Sequence, residues 1–481
     1  MSTLVVDVGT SGLRAAVVDG DGIVHSLEYR ACPPSTPFPG LVEFDGAAMA
    51  DAVLDVATRS LAAAGPVSAV GISNQRASTL VWDRTTGQPI GPGLGWQDLR
   101  TVFDCINAKS EHGLALAPNQ SATKVAWLLN NIEGARDRDL CFGTVDTWIA
   151  WVLSQGAVHV TDPSNAAVTG LLATDSTSWS VDACAALGVP IGMLPTVIDS
   201  TGVFGEATAL PGAPPLASLI GDQQASLVGQ GCVRPGLAKI TFGTGGMLDV
   251  CVGPTPPLHH QRSEHGTFPI VAWSRAGQRT WGAEAIMLSA GTNVEWLRDD
   301  LGVIGTAAES HDVAAQCDHT DGVVYVPALM GLGTPHWDYG ARGTLLGLTR
   351  GSGRPQLVRA VLEGIAHRGA DLLEAAEADY GDSIAVIRID GGMSQNPTFV
   401  QALANATGRT IEVSRETEAT TIGAAYLAGL AVGIWGSFDD IAAAWLPRSV
   451  VEPTAQLDRQ QWASAIERAR GWIPALSALD F

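Results

Sequence analysis

Lysine is scarce in this chain of 481 residues, and its scarcity excludes one common device for binding nucleotide phosphates. The sequence contains only three lysines, Lys109, Lys124 and Lys239. None of them lies in the GxxxxGK[ST] pattern of a P-loop, in which a glycine-rich loop and a lysine hold the phosphates. An anionic ligand would therefore be held by backbone N–H groups, by arginines or by a metal ion.

Basic residues are fewer than acidic residues in the whole chain. The chain has 28 lysine and arginine residues against 49 aspartate and glutamate residues, which gives a formal net charge of −21. Nucleic acids and anionic membranes need a cationic protein face, so neither is an expected partner.

Disulfide frameworks and long apolar runs are also not expected. Seven cysteines, an odd number without a CxxC pair, favour reduced thiols over disulfides or a zinc site. No run of about eighteen apolar residues occurs, and the N-terminus has no basic region followed by an apolar stretch. The sequence therefore predicts a cytoplasmic protein that neither spans a membrane nor is secreted.

The length of the chain predicts two domains with a cleft between them. Apolar runs alternate with GTSG and DGDG in the first thirty residues, which predicts three strands joined by tight turns. A similar phrase, AKITFGTGGMLDVCVG, returns at residues 238–253, so the two halves are expected to be related. Glycine and proline in GQGCVRPG favour a boundary at Cys232, which gives domains 1–232 and 233–481.

The stretch DVGTSGLR, residues 7–14, can bind phosphate in the predicted turn. Its glycines let backbone N–H groups approach a phosphate, Thr10 and Ser11 add hydroxyl donors, and Asp7 can orient a metal-bound water. Such hairpins are structural in most proteins. The second hairpin, FGTGG at residues 242–246, offers the same device, and two of them across a cleft would clamp phosphates with neutral donors.

Two further stretches each allow a functional and a structural interpretation. Asp222 follows an apolar strand and precedes a helix, so it can accept a hydroxyl proton or simply cap the helix. Gly391 and Gly392 allow a flat ligand to lie against the backbone, and Asn396 can bond to a base edge. The same residues also fit a strand-turn-helix junction without a ligand.

Together these motifs resemble the FGGY family of carbohydrate kinases, and within it the glycerol kinases are the most similar. The shared motifs run nearly from end to end, in the order DVGTSGLR, GISNQRAS, GWQDLRT, TKVAWLL, FGTVDTWIAW, HVTDPSNA, GDQQAS, FGTGG, EWLRDDL, GLGTPHWDYGARGTLLGLTRG and DGGMSQN. One family signature is complete in GTLLGLTRGSGRPQLVRAVLE, and the other is present in NQSATKVAWLLNN except at Asn119.

The resemblance implies an α/β fold of two actin-like or hexokinase-like domains, each on a ribonuclease-H-like sheet, with ATP and Mg²⁺ in the cleft. It implies that Asp222 is the general base and that Asp7 is the metal-site carboxylate. The implied contacts to ATP are Thr10, Ser11, Arg14, Thr244, Gly291, Gly392 and Asn396. Glu295, close to the nucleoside contacts, stands where the family commonly has a glutamine.

The acceptor pocket departs from the pattern of the glycerol kinases, in which an arginine and the following glutamate hold the hydroxyls of the triol. The corresponding residues here are Arg76, Ala77, Trp96, Asn119, Asp222, Gln223 and Met247. Ala77 replaces the glutamate, Asn119 a tyrosine and Met247 a phenylalanine. Arg76 is thus expected to hold a substrate hydroxyl without its usual carboxylate partner.

Two alternatives for the acceptor stay open. A four- or five-carbon polyol or ketose, such as a tetritol, a pentitol or a xylulose-like sugar, can fill the altered pocket. Alternatively, water fills the gap and glycerol remains the substrate.

Two other classes of protein share the implied fold, namely ATP-hydrolysing chaperones and filament-forming relatives of actin. A chaperone has no need of a polyol grip and a base in its cleft, so Arg76, Trp96, Asp222 and Gln223 speak for a small acceptor. A filament-forming relative is expected to assemble with ATP alone. The resemblance also implies that a homo-oligomer, either a dimer or a tetramer, is possible.

Overall fold

Two mixed β-sheets, one from each half of the chain, form the framework of the fold. The computed structural model describes residues 1–174, 176–257, 261–381, 383–415 and 417–479. The strands of the first half are β1 Ser2–Val8, β2 Gly12–Asp19, β3 Val24–Ala31, β4 Glu43–Phe44, β5 Ala69–Asn74, β6 Leu80–Asp83, β7 Gly93–Leu94, β8 Leu140–Gly143, β9 Val160–Thr161, β10 Thr196–Val197, β11 Thr201–Glu206 and β12 Pro215–Gly221. Those of the second half are β13 Ala238–Phe242, β14 Gly246–Gly253, β15 Phe268–Arg275, β16 Gln278–Met287, β17 Val324–Val326, β18 Thr344–Leu346, β19 Val386–Asp390, β20 Thr410–Ser414 and β21 Pro447–Val451.

Helices cover the sheets and connect their strands. The α-helices are α1 Gly46–Ala64, α2 Val102–His112, α3 Ala122–Asn131, α4 Val145–Leu153, α5 Pro163–Ala166, α6 Val181–Leu187, α7 Asp222–Gly229, α8 Thr292–Glu295, α9 Glu309–Ala314, α10 Arg354–Tyr380, α11 Pro397–Thr407, α12 Ala419–Val432, α13 Phe438–Ala444, α14 Arg459–Ala469 and α15 Pro474–Ser477. None of the described helices combines the length and the apolar composition that spanning a bilayer requires.

The two sheets repeat one topology. In the first, the order is β11-β12-β5-β1-β2-β3, with β1 antiparallel to β2 and parallel to β5. In the second, β13 is likewise antiparallel to β14 and parallel to β19, and the order is β15-β16-β14-β13-β19-β20-β21. The three-strand start of the chain and the repeated hairpin at residues 238–253 are both confirmed. The relationship between the halves, expected from the echoing phrases, is therefore a duplication of the sheet.

Local sequence explains where the first long helix begins and ends. Asp45 is the N-cap of α1, and its carboxylate accepts from the N–H groups of Ala47 and Ala48. Gly65 ends the helix at a φ of +88°, which residues with a side chain rarely adopt. The residues of α1 that face the sheet include Met49, and they are small or apolar throughout.

Helices α7 and α12 cross where the halves meet, with a glycine of each at the contact. A Cβ at Gly229 would lie 1.9 Å from the carbonyl oxygen of Ala419, and one at Gly423 would lie 1.8 Å from that of Ala225. Only glycine permits this backbone approach. Helix α12 belongs to the second half of the chain but packs on β1, β5 and β12 of the first sheet, whereas α7 packs on β14. The crossing therefore ties the two halves together beside the carboxyl end of β12.

Candidate active site

The two Gly-Thr turns connect β1 to β2 and β13 to β14. In the first turn the N–H of Gly9 donates to the carbonyl oxygen of Gly12 over 2.9 Å, while the Ser11 side chain is exposed and Thr10 is half-buried. In the second turn Thr244 is exposed. Both turns therefore present hydroxyls on a tight backbone, as a phosphate-binding hairpin needs.

Asp7 is buried at the end of β1, directly opposite Arg14 on β2. Its Oδ1 accepts from Ser73 Oγ over 2.8 Å, and its Oδ2 lies 3.4 Å from Arg14 Nε. Arg14 also makes an ion pair with Glu418, which precedes α12. Burial raises the pKa of Asp7 to about 6, an effect that the nearby Arg14 guanidinium opposes. One carboxylate oxygen of Asp7 is thus bonded to Ser73 and the other faces Arg14.

Asp222 is the first residue of α7, and the capping position is taken by Gly221. Within the described part of the chain, the Asp222 carboxylate makes no capping bond and accepts from the neighbouring N–H of Gln223 over 2.8 Å. Its side chain keeps 30% of its accessible surface. Burial nevertheless raises its pKa, with Arg76 acting in the opposite direction. Asp222 therefore does not occupy the N-cap position, although its carboxylate accepts from an N–H of the first helical turn, and its side chain remains partly accessible.

Arg76 follows β5, and its stem lies against the backbone of Gly221. A Cβ at Gly221 would lie 2.7 Å from Arg76 Cδ, so glycine at this position makes room for the arginine. Arg76 Nε is 3.6 Å from Asp222 Oδ1, and Nη2 donates to Glu284 Oε2 over 2.5 Å. Glu284 lies on β16 in the second half of the chain and was missed by sequence reasoning. The sequence feature that could have drawn attention to Glu284 is that it is the single acidic residue in the otherwise mostly apolar strand segment TWGAEAIM.

Ala77 is buried, with 4% of its surface accessible, and its φ of +63° lies in the left-handed region. Its carbonyl oxygen accepts from Ser121 Oγ over 2.9 Å. The structure differs here from the expectation that Arg76 lacks a carboxylate partner, because Glu284 provides one from another strand. A partner 208 positions away along the chain is invisible to a comparison of neighbouring residues.

Lys124 fixes the two loops that carry Trp96 and Asn119. Its buried ammonium donates to the carbonyl oxygens of Gly95, Trp96 and Asn119 over 2.7, 3.2 and 3.4 Å. Burial lowers the pKa of Lys124 to about 7. The Trp96 ring is partly exposed and its Nε1 donates to Thr10 Oγ1 over 3.1 Å, whereas the Asn119 side chain is exposed. Lys124 is thus a positioning residue whose role was not predicted.

Gln223 and Met247 border the same region. Lys239 Nζ donates to Gln223 Oε1 over 2.7 Å, which fixes the amide and turns its nitrogen away from the lysine. Met247 lies on β14, half-buried, and pairs with Ile286 of β16. Because paired residues on neighbouring strands share a face of the sheet, Met247 lies on the same face as Glu284, two residues from Ile286.

Gly291 and Gly392 mark the nucleotide side predicted from the sequence. The N–H of Gly291 donates to the carbonyl oxygen of Gly243 over 2.9 Å, which joins the start of α8 to the second Gly-Thr turn. A Cβ at Gly291 would lie 2.6 Å from that oxygen, so the approach requires glycine. At Gly392 no described atom lies within 4 Å of a built Cβ, which leaves room beside the backbone.

Asn396 has a structural role at the start of α11. Its Oδ1 accepts from the N–H of Phe399 over 3.1 Å, and its Nδ2 donates to Ser310 Oγ over 2.9 Å. The side chain therefore caps the helix, which agrees with the strand-turn-helix junction that the sequence also allowed. Contact with a base would have to compete with these two bonds.

Family models match both halves of the chain. The C-terminal domain of the FGGY family of carbohydrate kinases matches residues 238–432, and its N-terminal domain matches residues 2–229. The chain belongs to the FGGY family of carbohydrate kinases. It is therefore a kinase whose phosphoryl acceptor is an alcohol group, and the membership expected from its motifs is confirmed.

Individual relatives support the same assignment. A glycerol kinase of Aromatoleum aromaticum is 40% identical over 98% of this chain and 99% of its own length. One of Trichlorobacter lovleyi is 41% identical over 98% of this chain and 99% of its own length. A crystal structure of Plasmodium falciparum glycerol kinase with ADP is 27% identical, covers 97% of this chain and 98% of that chain, and superposes with a TM-score of 0.91. The two-domain, actin-like kinase fold is thereby confirmed.

Proposed function

We propose that this FGGY kinase transfers the γ-phosphoryl group of ATP to a hydroxyl of glycerol, with Asp222 as the general base. The observation that carries the proposal is the accessible Asp222 carboxylate, held 3.6 Å from Arg76 Nε at the carboxyl end of β12. A carboxylate at the end of a strand, in the crevice of an α/β fold, is well placed to accept a proton. The glycerol kinases among its relatives support glycerol as the acceptor.

Phosphoryl transfer from ATP to a hydroxyl does not require a covalent intermediate with the protein. As the acceptor oxygen bonds to the γ-phosphorus, the bond to the leaving oxygen of ADP breaks and the hydroxyl proton passes to Asp222. Orientation of the acceptor then provides most of the rate enhancement, and exclusion of water prevents hydrolysis of ATP. Arg76 and Trp96 would orient the acceptor at this base.

ATP would be held by the two Gly-Thr turns and the glycines of the nucleotide side. The proposed contacts are Thr10, Ser11, Arg14, Thr244, Gly291, Gly392 and Asn396. Of these, Gly392 offers open backbone, while Asn396 would contact ATP in competition with its capping bond at the start of α11. The crystal structure of the Plasmodium falciparum relative carries ADP, which supports a nucleotide site in this fold.

The residues of this chain fit Mg²⁺ bound largely by water and phosphate. Among the described residues, no group of three or more histidine, cysteine, aspartate or glutamate side chains forms a metal cage. Mg²⁺ commonly uses only one or two carboxylates together with substrate phosphates. Asp7, at the end of β1 beside the first Gly-Thr turn, would supply such a carboxylate. The ion would supply neutralisation of phosphate charge when bound.

The acceptor pocket would consist of Arg76, Ala77, Trp96, Asn119, Asp222, Gln223 and Met247. The four- or five-carbon alternative is less favoured than glycerol, because glycerol kinases match nearly the whole chain at about 40% identity. Arg76 also retains a carboxylate partner in Glu284, so the missing glutamate at Ala77 is a weaker argument for a different substrate.

The domain boundary, the cellular compartment and the oligomeric state are also proposals. We propose a domain boundary at Cys232, which is supported by the gap between the residues matched by the two family models, 2–229 and 238–432. Five buried thiols, among them Cys232, fit a reducing compartment such as the cytoplasm. We also propose a homo-oligomer, either a dimer or a tetramer, as the resemblance to the family implies.

A coupled ADP-release assay tests the proposed function. The purified protein with MgATP is compared on glycerol, dihydroxyacetone, tetritols, pentitols and ketopentoses. We expect the highest kcat/KM with glycerol. A higher kcat/KM with a four- or five-carbon compound would show that Ala77, Asn119 and Met247 together redefine the acceptor.

A further inference from the structure

The Arg76–Glu284 ion pair joins the two halves of the chain at the acceptor site. Arg76 Nη2 donates to Glu284 Oε2 over 2.5 Å, and the two side chains are 11% and 8% exposed. A charged hydrogen bond of this kind, shielded from water, is stronger than one between neutral groups. Glu284 therefore fixes the position of the guanidinium.

A row of charges on the second sheet keeps Glu284 available for Arg76. Lys239, Asp249 and Glu284 lie on three adjacent strands, with Lys239 opposite Asp249 and Asp249 opposite Glu284. The Lys239 ammonium lies 2.7 Å from Asp249 Oδ2, and both side chains are fully buried. The negative charge of Asp249 is therefore paired with Lys239, and that of Glu284 is paired with Arg76.

The Arg76 guanidinium has donors left for a ligand. Arg76 Nη1 is buried and finds no hydrogen-bond partner among the residues that the structure describes. Nε lies 3.6 Å from Asp222 Oδ1, which is beyond hydrogen-bond distance, and Nη2 donates to Glu284, so the guanidinium still has N–H groups without an acceptor. A buried donor without a partner favours binding of a group that accepts from it.

We propose that Glu284 is a specificity-determining positioning residue of the acceptor site. From the second half of the chain it supplies a carboxylate partner for Arg76, and it holds the guanidinium so that Arg76 donates to a hydroxyl of the polyol. This inference rests on the proposed function, because it assumes a polyol next to Asp222. Glu284 acts through Arg76 and takes no part in the proton transfer.

The first test compares Glu284→Gln with the wild-type enzyme in the ADP-release assay. Glutamine keeps the shape but loses the charge that fixes Arg76, so we expect the KM for glycerol to rise about ten- to a hundredfold. The KM for ATP should stay within about twofold of the wild-type value. The proposed nucleotide contacts lie in or next to the β1–β2 and β13–β14 turns and just before α8 and α11, whereas Glu284 lies on β16. Calorimetric titration with glycerol should show the same loss of affinity without turnover.

Glu363→Gln is the matched control. Glu363 pairs with Arg359 over 2.8 Å on α10 and is similarly shielded, with 15% of its side chain exposed. It lies outside the acceptor pocket, so its KM for glycerol should equal that of the wild-type enzyme. A rise in the KM for glycerol with both variants would point to a general effect of losing an ion pair.

A second variant separates positioning from a purely structural link between the halves. Ala77→Glu combined with Glu284→Gln returns a carboxylate beside Arg76, but from the same half of the chain. We expect the double variant to recover at least about tenfold of the lost affinity for glycerol. A purely structural link predicts no recovery, because a carboxylate at residue 77 cannot rejoin the halves.

The outcomes distinguish this inference from the proposed function. A wild-type enzyme that releases ADP with none of the polyols contradicts the proposed function itself. An active wild-type enzyme whose KM for glycerol is unchanged by Glu284→Gln overturns only the role of Glu284. Should Glu284→Gln fail to fold, Glu284→Asp moves the charge by one methylene and should raise the KM for glycerol severalfold. An unchanged KM for glycerol in Glu284→Asp would then overturn the inference.

Discussion

The indole nitrogen of Trp96 donates a hydrogen bond to Thr10 Oγ1 over 3.1 Å. This bond connects a residue of the proposed acceptor pocket with a residue of the proposed phosphate-binding turn. Lys124 fixes the Trp96 loop, because its ammonium donates to the carbonyl oxygens of Gly95 and Trp96. The acceptor and the phosphate turn therefore have a direct mechanical connection, which orientation of the two substrates requires.

Trp96→Phe should lower kcat/KM for glycerol about two- to tenfold, because it keeps an aromatic ring and loses one hydrogen bond. We expect a smaller decrease for ATP as well, since Thr10 loses its fixed partner. Steady-state kinetics with each substrate varied in turn measures both effects.

The control for this prediction is Trp472→Phe, because the Trp472 ring is 73% exposed near the C-terminus. It should leave both kinetic constants unchanged. If Trp96→Phe behaves like this control, the contact with Thr10 plays no part in orienting the substrates.

The pH dependence of the reaction should reflect the raised pKa of Asp222. Burial disfavours the ionised carboxylate, and Arg76 opposes that effect without cancelling it. A general base is active only when ionised, so activity is lost as the pH falls through the raised pKa. We therefore expect the acidic limb of kcat/KM to lie above the ordinary aspartate value of about 3.9.

A profile of kcat/KM for glycerol from about pH 4 to about pH 9 checks this expectation, with circular dichroism recorded at each pH to exclude unfolding. A flat profile down to the ordinary aspartate pKa would argue against Asp222 as the group that limits activity. An acidic limb that coincides with loss of the circular dichroism signal would report unfolding instead.

Much of the framework could be predicted from local sequence. The glycine-rich turns, the strands beside them and the cap at Asp45 depend on residues close together in the chain, so their patterns are readable. The position of Asp222 at the end of a buried strand belongs to the same class. The capping role of Asn396 was also readable, because Pro397 follows it at the first position of the helix.

Long-range packing could not be predicted in the same way. The ion pair of Arg76 with Glu284 and the bonds of Lys124 depend on the final arrangement of loops and sheets. Helix α12, which lies in the second half of the sequence, packs on the first sheet. The many small residues of α12 favour close packing, but they do not indicate which sheet the helix packs against.

The measurement that tests the central claim most directly is phosphorylation of glycerol by Asp222→Asn, together with its affinity for MgATP. The asparagine cannot accept the proton, so we expect kcat to fall about a hundred- to ten-thousandfold while MgATP binding and the thermal midpoint are retained. Asp439→Asn, on the exposed side of α13, is the control and should be as active as the wild-type enzyme. Turnover near the wild-type rate in Asp222→Asn would contradict the assignment of Asp222 as the general base.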